Sequence, residues 1–498
     1  MSSQTTNPGV SGMSMYVPRL RVPLENWCEW TGNSWDKIQA VVGRGFRYPA
    51  RHENVYTMAA NAVLRLIENY DIDPSSVGFL ALGTESSKDN SAGAVIVRGM
   101  VDRALEKSGR PRLARSCEVP EFKHACLGGV YALKGAVRYV RCDGAGKKAI
   151  VVCGDIAEYE RGSTGEQTQG AGAVAMLVDE QPRLFEVDLA RAGSASDYRG
   201  PDFRKPFARH FAPGYAKTGD RLHDFPVFSG KYSTFSYLDE AGQAVDAMLK
   251  KVGVSGRQFV RDVHAMFFHR PYHLMPVQGL AFLYVRALAG SRTGRPELEA
   301  LCNEAGVPVE KVIEESRSSP DLYGALLASN GSAAKSGGPP EPYPVTAQVA
   351  GLLRKSPIFR ELIATKMSLG SDRVMELGNL YTAALPAWLA AGFEEALETG
   401  VDLTDKTLLA VGYGSGDAAE AIPLRVAPNW KEAAARIRYT DALGGAVDLT
   451  REQYEALHDG REVPGLSAAQ QGFVISRIGQ THEPAFQDLG VEYYDYVP

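Results

Sequence analysis

The chain has 498 residues, 44% of them hydrophobic and 23% charged, too many for one simple core, so two halves or domains are expected. A net charge of -5 leaves no strongly basic face for nucleic acid. The six cysteines (28, 117, 126, 142, 153 and 302) form no CxxC pair and read as thiols of a reducing compartment, not as a disulfide framework. Residues 1–8 lack the basic and apolar regions of a secretory signal. No apolar run approaches the ~18 residues of a membrane span. A soluble, cytoplasmic protein is expected.

Residues 10–22 alternate apolar and polar side chains and predict a strand ending near Pro23. Residues 56–70 predict an amphipathic helix with Met58, Ala62, Leu66 and Ile67 on one side. A turn at 71–75 leads into a buried strand, 77–82, which delivers Gly83-Thr84-Glu85-Ser86-Ser87 to its C-terminal end. In α/β sheets functional groups collect there. A helix is predicted over 95–105. The stretch Ala125-Cys126-Leu127-Gly128-Gly129 then opens another, with Val130, Leu133, Val137 and Val140 on one face. Strands follow at 149–155 and from Gly170 to Val178.

Residues 182–229 hold eight Phe or Tyr and little periodicity, and are read as an insertion over the site. A helix over 238–252 precedes a strand, 263–268, that delivers His269. Helices fill the next hundred or so residues, broken by a flexible loop at 329–340. Residues 376–381 precede a helix through Ala391. A strand at 408–411 closes on Gly412-Tyr413-Gly414-Ser415-Gly416. Strands alternating with helices predict an α/β fold with a largely parallel sheet. Both parts of the chain share one plan, strand then reactive residue then helix, which predicts a duplicated unit.

Four groups stand at junctions of strand or loop with helix: Glu85, Cys126, His269 and Asn379. At a helix N-terminus the amide dipoles lower a thiol's pKa and favour the nucleophilic thiolate. A separate carboxylate removes a carbon-bound proton if burial raises its pKa. Taken singly, Cys126 also reads as a small buried residue, Glu85 as a capping carboxylate and Asn379 as a turn residue. His269 and His273 have the i, i+4 spacing of a metal pair, but Pro271 intervenes and no third ligand is evident. The glycine-rich 412–416 lacks the Lys-Ser/Thr of a phosphate loop and suits a tight turn or a backbone oxyanion donor.

In order, Gly-Thr-Glu85-Ser, Ala-Cys126-Leu-Gly-Gly, Gly154-Asp155-Ile-Ala-Glu-Tyr159, Gly170-Ala-Gly-Ala-Val-Ala175, Phe268-His269-Arg-Pro-Tyr272, Gly378-Asn379-Leu-Tyr381-Thr382 and Gly412-Tyr-Gly-Ser415-Gly416 resemble the 3-hydroxy-3-methylglutaryl-CoA synthases. The likeness runs from about Gly12 to the C-terminus. It implies a thiolase-like layered αβαβα fold of two duplicated halves, here 1–190 and 191–498, working as a homodimer. It implies that Cys126 takes an acetyl group from acetyl-CoA, that Glu85 is general base on its methyl, and that His269 positions acetoacetyl-CoA. By the same likeness Asn379, Tyr381, Thr168, Asp155 and Asp202 serve substrate binding or acyl transfer, and the Ser415 amide stabilises the thioester oxyanion. No metal and no cofactor beyond the CoA thioesters is implied.

Departures from the family pattern are Leu127 where an aromatic residue is common, and Gln167-Thr168-Gln169 where Pro-Thr-Gly is usual. No lysine occurs in 273–279, where the enzymes of free CoA often carry one. The last keeps open the β-branching relatives of polyketide assembly, whose acyl groups ride on acyl carrier protein. The ketoacyl synthase III enzymes, which make their carbanion by decarboxylation, need no base at the position of Glu85. A non-catalytic thiolase-fold scaffold is the third reading.

Overall fold

The computed structural model describes residues 6–90, 93–205, 217–218, 221–222, 224–329, 339–466 and 471–498. Much of the aromatic stretch 182–229, and 330–338 of the Gly/Ser/Pro-rich loop, lie outside the described residues.

Ten strands form one sheet. Its strands, with the helices used below, are in chain order β1 (Gly9–Tyr16), α1 (Val55–Asn69), β2 (Val77–Gly83), α2 (Gly93–Lys107), β3 (Glu121–Phe122), α3 (Gly128–Arg141), β4 (Lys148–Ala157) and β5 (Gly170–Asp179). They continue with β6 (Phe185–Val187), β7 (Gly193–Ser196), α4 (Gly230–Val252), β8 (Ala265–Phe268), α5 (Leu274–Ala289), α6 (Ala384–Thr399), β9 (Thr407–Gly414) and β10 (Ala418–Val426). The strand order is β8-β9-β10-β6-β1-β5-β4-β2-β3, with β7 also on β10.

The pairing repeats. β1 runs antiparallel to β5, β5 antiparallel to β4, and β4 parallel to β2. In the same pattern β6 runs antiparallel to β10, β10 antiparallel to β9, and β9 parallel to β8. Helices α1 and α4 precede the equivalent strands β2 and β8; α3 and α6 precede β4 and β9. Glu85 therefore follows β2 as His269 follows β8, and Cys126 precedes α3 as Asn379 precedes α6. An antiparallel seam, Gly9↔Glu186 and Val10↔Phe185, makes the sheet continuous between the two sets.

Local chemistry explains the helices. At α1 the Asn54 side chain accepts from the Tyr56 and Thr57 amides while the Thr57 hydroxyl accepts from the Asn54 amide, a capping box. All of α1 but Arg65, Glu68 and Asn69 is buried. In α3 the predicted face of Val130, Leu133, Val137 and Val140 is buried, and so are Ala132, Lys134 and Ala136. The helix is covered on two sides. A Cβ on Gly129 would stand 2.5 Å from Cys153 Sγ in β4, and one on Gly414 in β9 would stand 2.5 Å from the His124 carbonyl oxygen. The start of α3 is thus wedged between a strand of each set, which only residues without side chains permit.

Lys134 also ties the two sets together. Its Nζ lies 2.5 Å from Glu420 Oε1 on β10, and Glu420 Oε2 accepts from Ser194 Oγ at 2.9 Å. Removing one partner of a buried pair leaves an uncompensated charge. Lys134→Ala is expected to lose about 3 kcal/mol of stability, and Lys134→Met with Glu420→Leu to recover most of it. Urea denaturation of the three proteins checks this.

Four expectations are corrected. The sheet is mixed, not largely parallel: β1–β5, β1–β6, β5–β4, β6–β10, β7–β10 and β9–β10 are antiparallel, against parallel β2–β3, β2–β4 and β8–β9. The strand predicted over 10–22 is two, Gly9–Tyr16 and Leu20–Pro23, separated around Pro18. The 182–229 stretch is not wholly an insertion: its first part supplies β6 and β7 to the main sheet, in strands too short to show alternation. Helix α4 begins at Gly230, two turns earlier than predicted, because Ser233, Thr234 and Ser236 obscure its apolar face. Strand β10 went unpredicted because buried Glu420 and Pro423 interrupt its apolar run. Near the C-terminus Tyr493, Tyr494 and Tyr496 lie in a strand, Glu492–Val497, antiparallel to Gly472–Ile478.

Candidate active site

Cys126 lies just ahead of α3 in a tight turn. The Leu127 amide donates to the His124 carbonyl at 2.9 Å, and Ala125 is held at φ 42. A non-glycine residue in the left-handed region costs about 1–3 kcal/mol and persists where the surroundings enforce it, commonly at functional sites. The loop after β2 brings Glu85 to the sulfur: Cys126 Sγ to Glu85 Oε2 is 3.5 Å.

Asp155, near the end of β4, fixes that loop. Its Oδ1 accepts from the Glu85 amide at 2.8 Å, the Ser86 amide at 2.9 Å, and the Thr84 and Ser86 hydroxyls at 2.8 Å each. Its Oδ2 accepts from the Thr382 amide at 3.0 Å and hydroxyl at 2.5 Å. Asp155 is fully buried. It clamps the Glu85 loop to the segment leading into α6 and has no lone pair directed at a substrate.

Burial, then the charge of Asp155, pushes the Glu85 carboxyl up to about 8, against the lowering effect of its hydrogen bond with Cys126. Burial, then the charge of Glu85, pushes the Cys126 thiol well above its ordinary value. The expectation of a lowered thiol pKa is therefore corrected: desolvation and a neighbouring carboxylate outweigh the helix amides. Burial holds His269 as neutral imidazole, its pKa down to about 3. Its Nδ1 is buried with no hydrogen-bond partner among the described residues, and its carbonyl accepts from the Tyr237 hydroxyl at 3.1 Å.

A cavity of about 380 Å³ opens over the sulfur. Cys126, His269, Asn379, Tyr381, Thr168 and Ser415 all line it. Asn379 is braced by its own backbone: its amide donates to the Thr168 carbonyl at 3.0 Å and its Oδ1 accepts from the Tyr381 amide at 2.9 Å. Tyr381, at φ 46, packs edge-to-face with Phe203. Glu85 meets Cys126 without lining the cavity. Neither Asp155 nor Asp202 lines it. Asp202 accepts from the Ser233 hydroxyl and, at 3.1 Å, from the Tyr413 hydroxyl, holding two residues of the wall. Its expected contact with substrate is corrected to this supporting place. His273 turns to Arg270, Nδ1 to Nη2 2.9 Å. Among the described residues no group of three or more His, Cys, Asp or Glu is placed to hold a metal ion.

Sequence reasoning missed Tyr159, Phe203, Phe228 and Lys231 in the wall. The aromatic richness of 182–229 was the available signal for the two phenylalanines. Lys231 gave none, since it fell in the turn where the start of α4 was misplaced.

Among the described residues no helix is long and apolar enough to cross a membrane. Residues 4–182 match the sequence profile of the hydroxymethylglutaryl-coenzyme A synthase N terminal. A hydroxymethylglutaryl-CoA synthase of Haloferax volcanii is 26% identical over 492 residues, 97% of this chain and 99% of its own length. Hydroxymethylglutaryl-CoA synthase A of Dictyostelium discoideum is 28% identical, covering 84% of this chain and 76% of its own. Among solved structures, MvaS in complex with 3-hydroxy-3-methylglutaryl coenzyme A matches 99% of both chains with a TM-score of 0.73 and 24% identity. The HMG synthase of the curacin biosynthetic pathway, in complex with holo donor-ACP, covers 98% of this chain and 100% of its own with a TM-score of 0.69 and 19% identity. The fold is that of these solved structures.

Proposed function

We infer that this chain, a member of the hydroxymethylglutaryl-CoA synthase family, condenses an acetyl group on Cys126 with an acetoacetyl thioester and releases the six-carbon product by hydrolysis. One observation carries the reading: a carboxyl with its pKa near 8 stands 3.5 Å from the only cysteine lining the cavity among the described residues. A methyl beside a thioester is weakly acidic, so its carbanion needs a placed base of near-neutral pKa.

Cys126 sulfur attacks the thioester carbonyl and the donor thiol leaves with a proton. Glu85 takes a proton from the acetyl methyl, and the resulting carbanion attacks the ketone of the second thioester. Glu85 returns the proton to the new alkoxide, and water cleaves the product from sulfur. Neutral His269 orients the second thioester. Asn379 and the Ser415 amide supply hydrogen bonds to developing oxyanions. Thr168 and Tyr381 bound the acyl groups. The chemistry calls for no cofactor beyond the thioesters. The family likeness further supports a homodimer, and the free cysteines a reducing, cytoplasmic setting.

The missing lysine of 273–279 favours a second reading, with donors carried by a protein. Intact-mass measurement separates the two. Acetyl-CoA is expected to add one acetyl group to the wild type and none to Cys126→Ala, and acetoacetyl-CoA to clear it as the six-carbon thioester forms. An adduct from acetylated carrier protein alone selects the second reading; no adduct from either rejects both.

A further inference from the structure

We propose that Tyr454, outside the cavity and far from Cys126 in sequence, is a positioning residue for the condensation step: through Gln169 it fixes the wall on which Asn379 rests. This rests on the condensing function proposed above and names what orients its second half.

Tyr454 belongs to a C-terminal helix, α7 (Arg451–His458). Thr450 and Gln453 form its capping box, and Tyr454, Leu457 and His458 are its buried face. The Tyr454 ring packs edge-on against Phe46 and Tyr48, at centroid distances of 5.9 and 5.7 Å. Its hydroxyl donates to Glu166 Oε1 at 2.9 Å and accepts from Gln169 Nε2 at 2.8 Å. Gln169 Oε1 accepts from the Tyr159 amide at 3.0 Å, and Glu166 Oε2 from the Gly162 amide at 2.7 Å. The Tyr159 carbonyl accepts from His458 Nε2 at 2.8 Å. Glu166, Gln169, Tyr454 and His458 are all buried.

The bonds have one direction. A backbone amide only donates, so it fixes Gln169 Oε1 and turns Nε2 to Tyr454; having received that hydrogen, the hydroxyl gives its own to Glu166. Gln169 departs from the Pro-Thr-Gly pattern of the related enzymes, so this grip uses a side chain that glycine does not supply. Between the gripped residues, Thr164, Gly165, Gln167 and Thr168 line the cavity, whereas Gln169 and Tyr454 do not. The Thr168 carbonyl accepts from the Asn379 amide at 3.0 Å, and Gly170 bridges to Gly378. The wall held by α7 therefore holds the residue whose amide side chain meets an oxyanion. Cys126 and Glu85 are fixed elsewhere, by the turn before α3 and by Asp155. Removing the Tyr454 hydroxyl leaves Tyr159 held by Gln169 Oε1 and His458, and frees only the 166–169 end of the wall. The effect should fall on the step that uses Asn379 and spare acyl transfer to sulfur.

The test follows both half-reactions by intact mass. Acetyl-enzyme is formed from acetyl-CoA or an acetylated acyl carrier protein, then mixed with the acetoacetyl thioester of the same carrier. In Tyr454→Phe the limiting rate of condensation is expected to fall roughly tenfold with acetylation within about twofold of wild type, inside the 10²-fold that a 1 Å misplacement can cost. A variant that had only lost stability would lower both rates together through its folded fraction, so the ratio of the two is the readout. Gln169→Met alone should also slow condensation. In that background Tyr454→Phe should add less than about twofold, because the two side chains act on one path. Equal falls in both half-reactions, an unchanged condensation rate, or independent effects of the two substitutions would overturn the positioning role and leave the condensing function standing. A wild type that forms no six-carbon thioester from either carrier overturns both proposals.

Discussion

Glu85→Gln is expected to stop condensation while leaving Cys126 able to take up acetyl. The substitution keeps the side chain's shape and removes its basicity. General base catalysis is worth 10²–10⁴-fold, and among the described residues no second carboxylate is bonded to the sulfur: Asp155 is engaged by protein donors. A fall of at least about 10³-fold in product formation is expected. Acetylation should persist because Glu85 holds its proton at neutral pH, so a neutral amide in its place leaves Cys126 beside an uncharged neighbour as before. The wild-type pH profile gives an independent check. A raised carboxyl pKa means Glu85 holds its proton at neutral pH and becomes a base as pH climbs through about 8. The single-turnover condensation rate of preformed acetyl-enzyme should therefore rise across pH 7 to 9 and then level. In Glu85→Gln that limb should vanish. Stopped-flow release of the six-carbon thioester, with the adduct followed by mass, reads both effects. Condensation at the wild-type rate in Glu85→Gln would remove the carboxylate from the chemistry.

Asp155→Ala is expected to be the most damaging single change to the fold described here. It strips acceptors from six donors: the amides of Glu85, Ser86 and Thr382, and the hydroxyls of Thr84, Ser86 and Thr382. Each buried donor left unmade costs about 1–3 kcal/mol. Even with local relaxation the total should exceed about 4 kcal/mol, enough to deplete a marginally stable native state. Asp155→Asn keeps the volume and the Oδ1 acceptor but turns a donor toward Thr382, so an intermediate loss is expected. Soluble yield and urea midpoints of the three proteins measure stability. Acetylation of the surviving Asp155→Asn protein shows whether the Glu85 loop has moved. A urea midpoint for Asp155→Ala equal to wild type would show that the clamp is dispensable.

Glu85, Cys126, His269 and Asn379 were legible because the strand-then-turn pattern places them at strand ends and ahead of helices. Glu85 after 77–82 and His269 after 263–268 needed only a buried apolar run to be located. The roles of Asp155 and Asp202 were not legible. A carboxylate that binds substrate and one that binds backbone look alike in sequence, and the difference lies in Thr84, Ser86 and Thr382 converging from two distant segments. The thiol's pKa was misjudged for a related reason: the helix start is local, whereas the Glu85 charge and the burial come from packing. β6, β7 and β10 were lost to short length or to interrupting polar residues and proline, since their strand state is imposed by neighbours in the sheet.

The repeated pairing of the sheet implies a history. Two copies of one ancestral unit, meeting about an axis, would have supplied every position of the pocket twice. Once joined in a single gene, the copies were free to specialise. One unit now carries a thiol and a carboxyl at its two junctions; the other carries an imidazole and an amide at the matching places. A division of labour between twins explains why four unlike groups come from only two kinds of location.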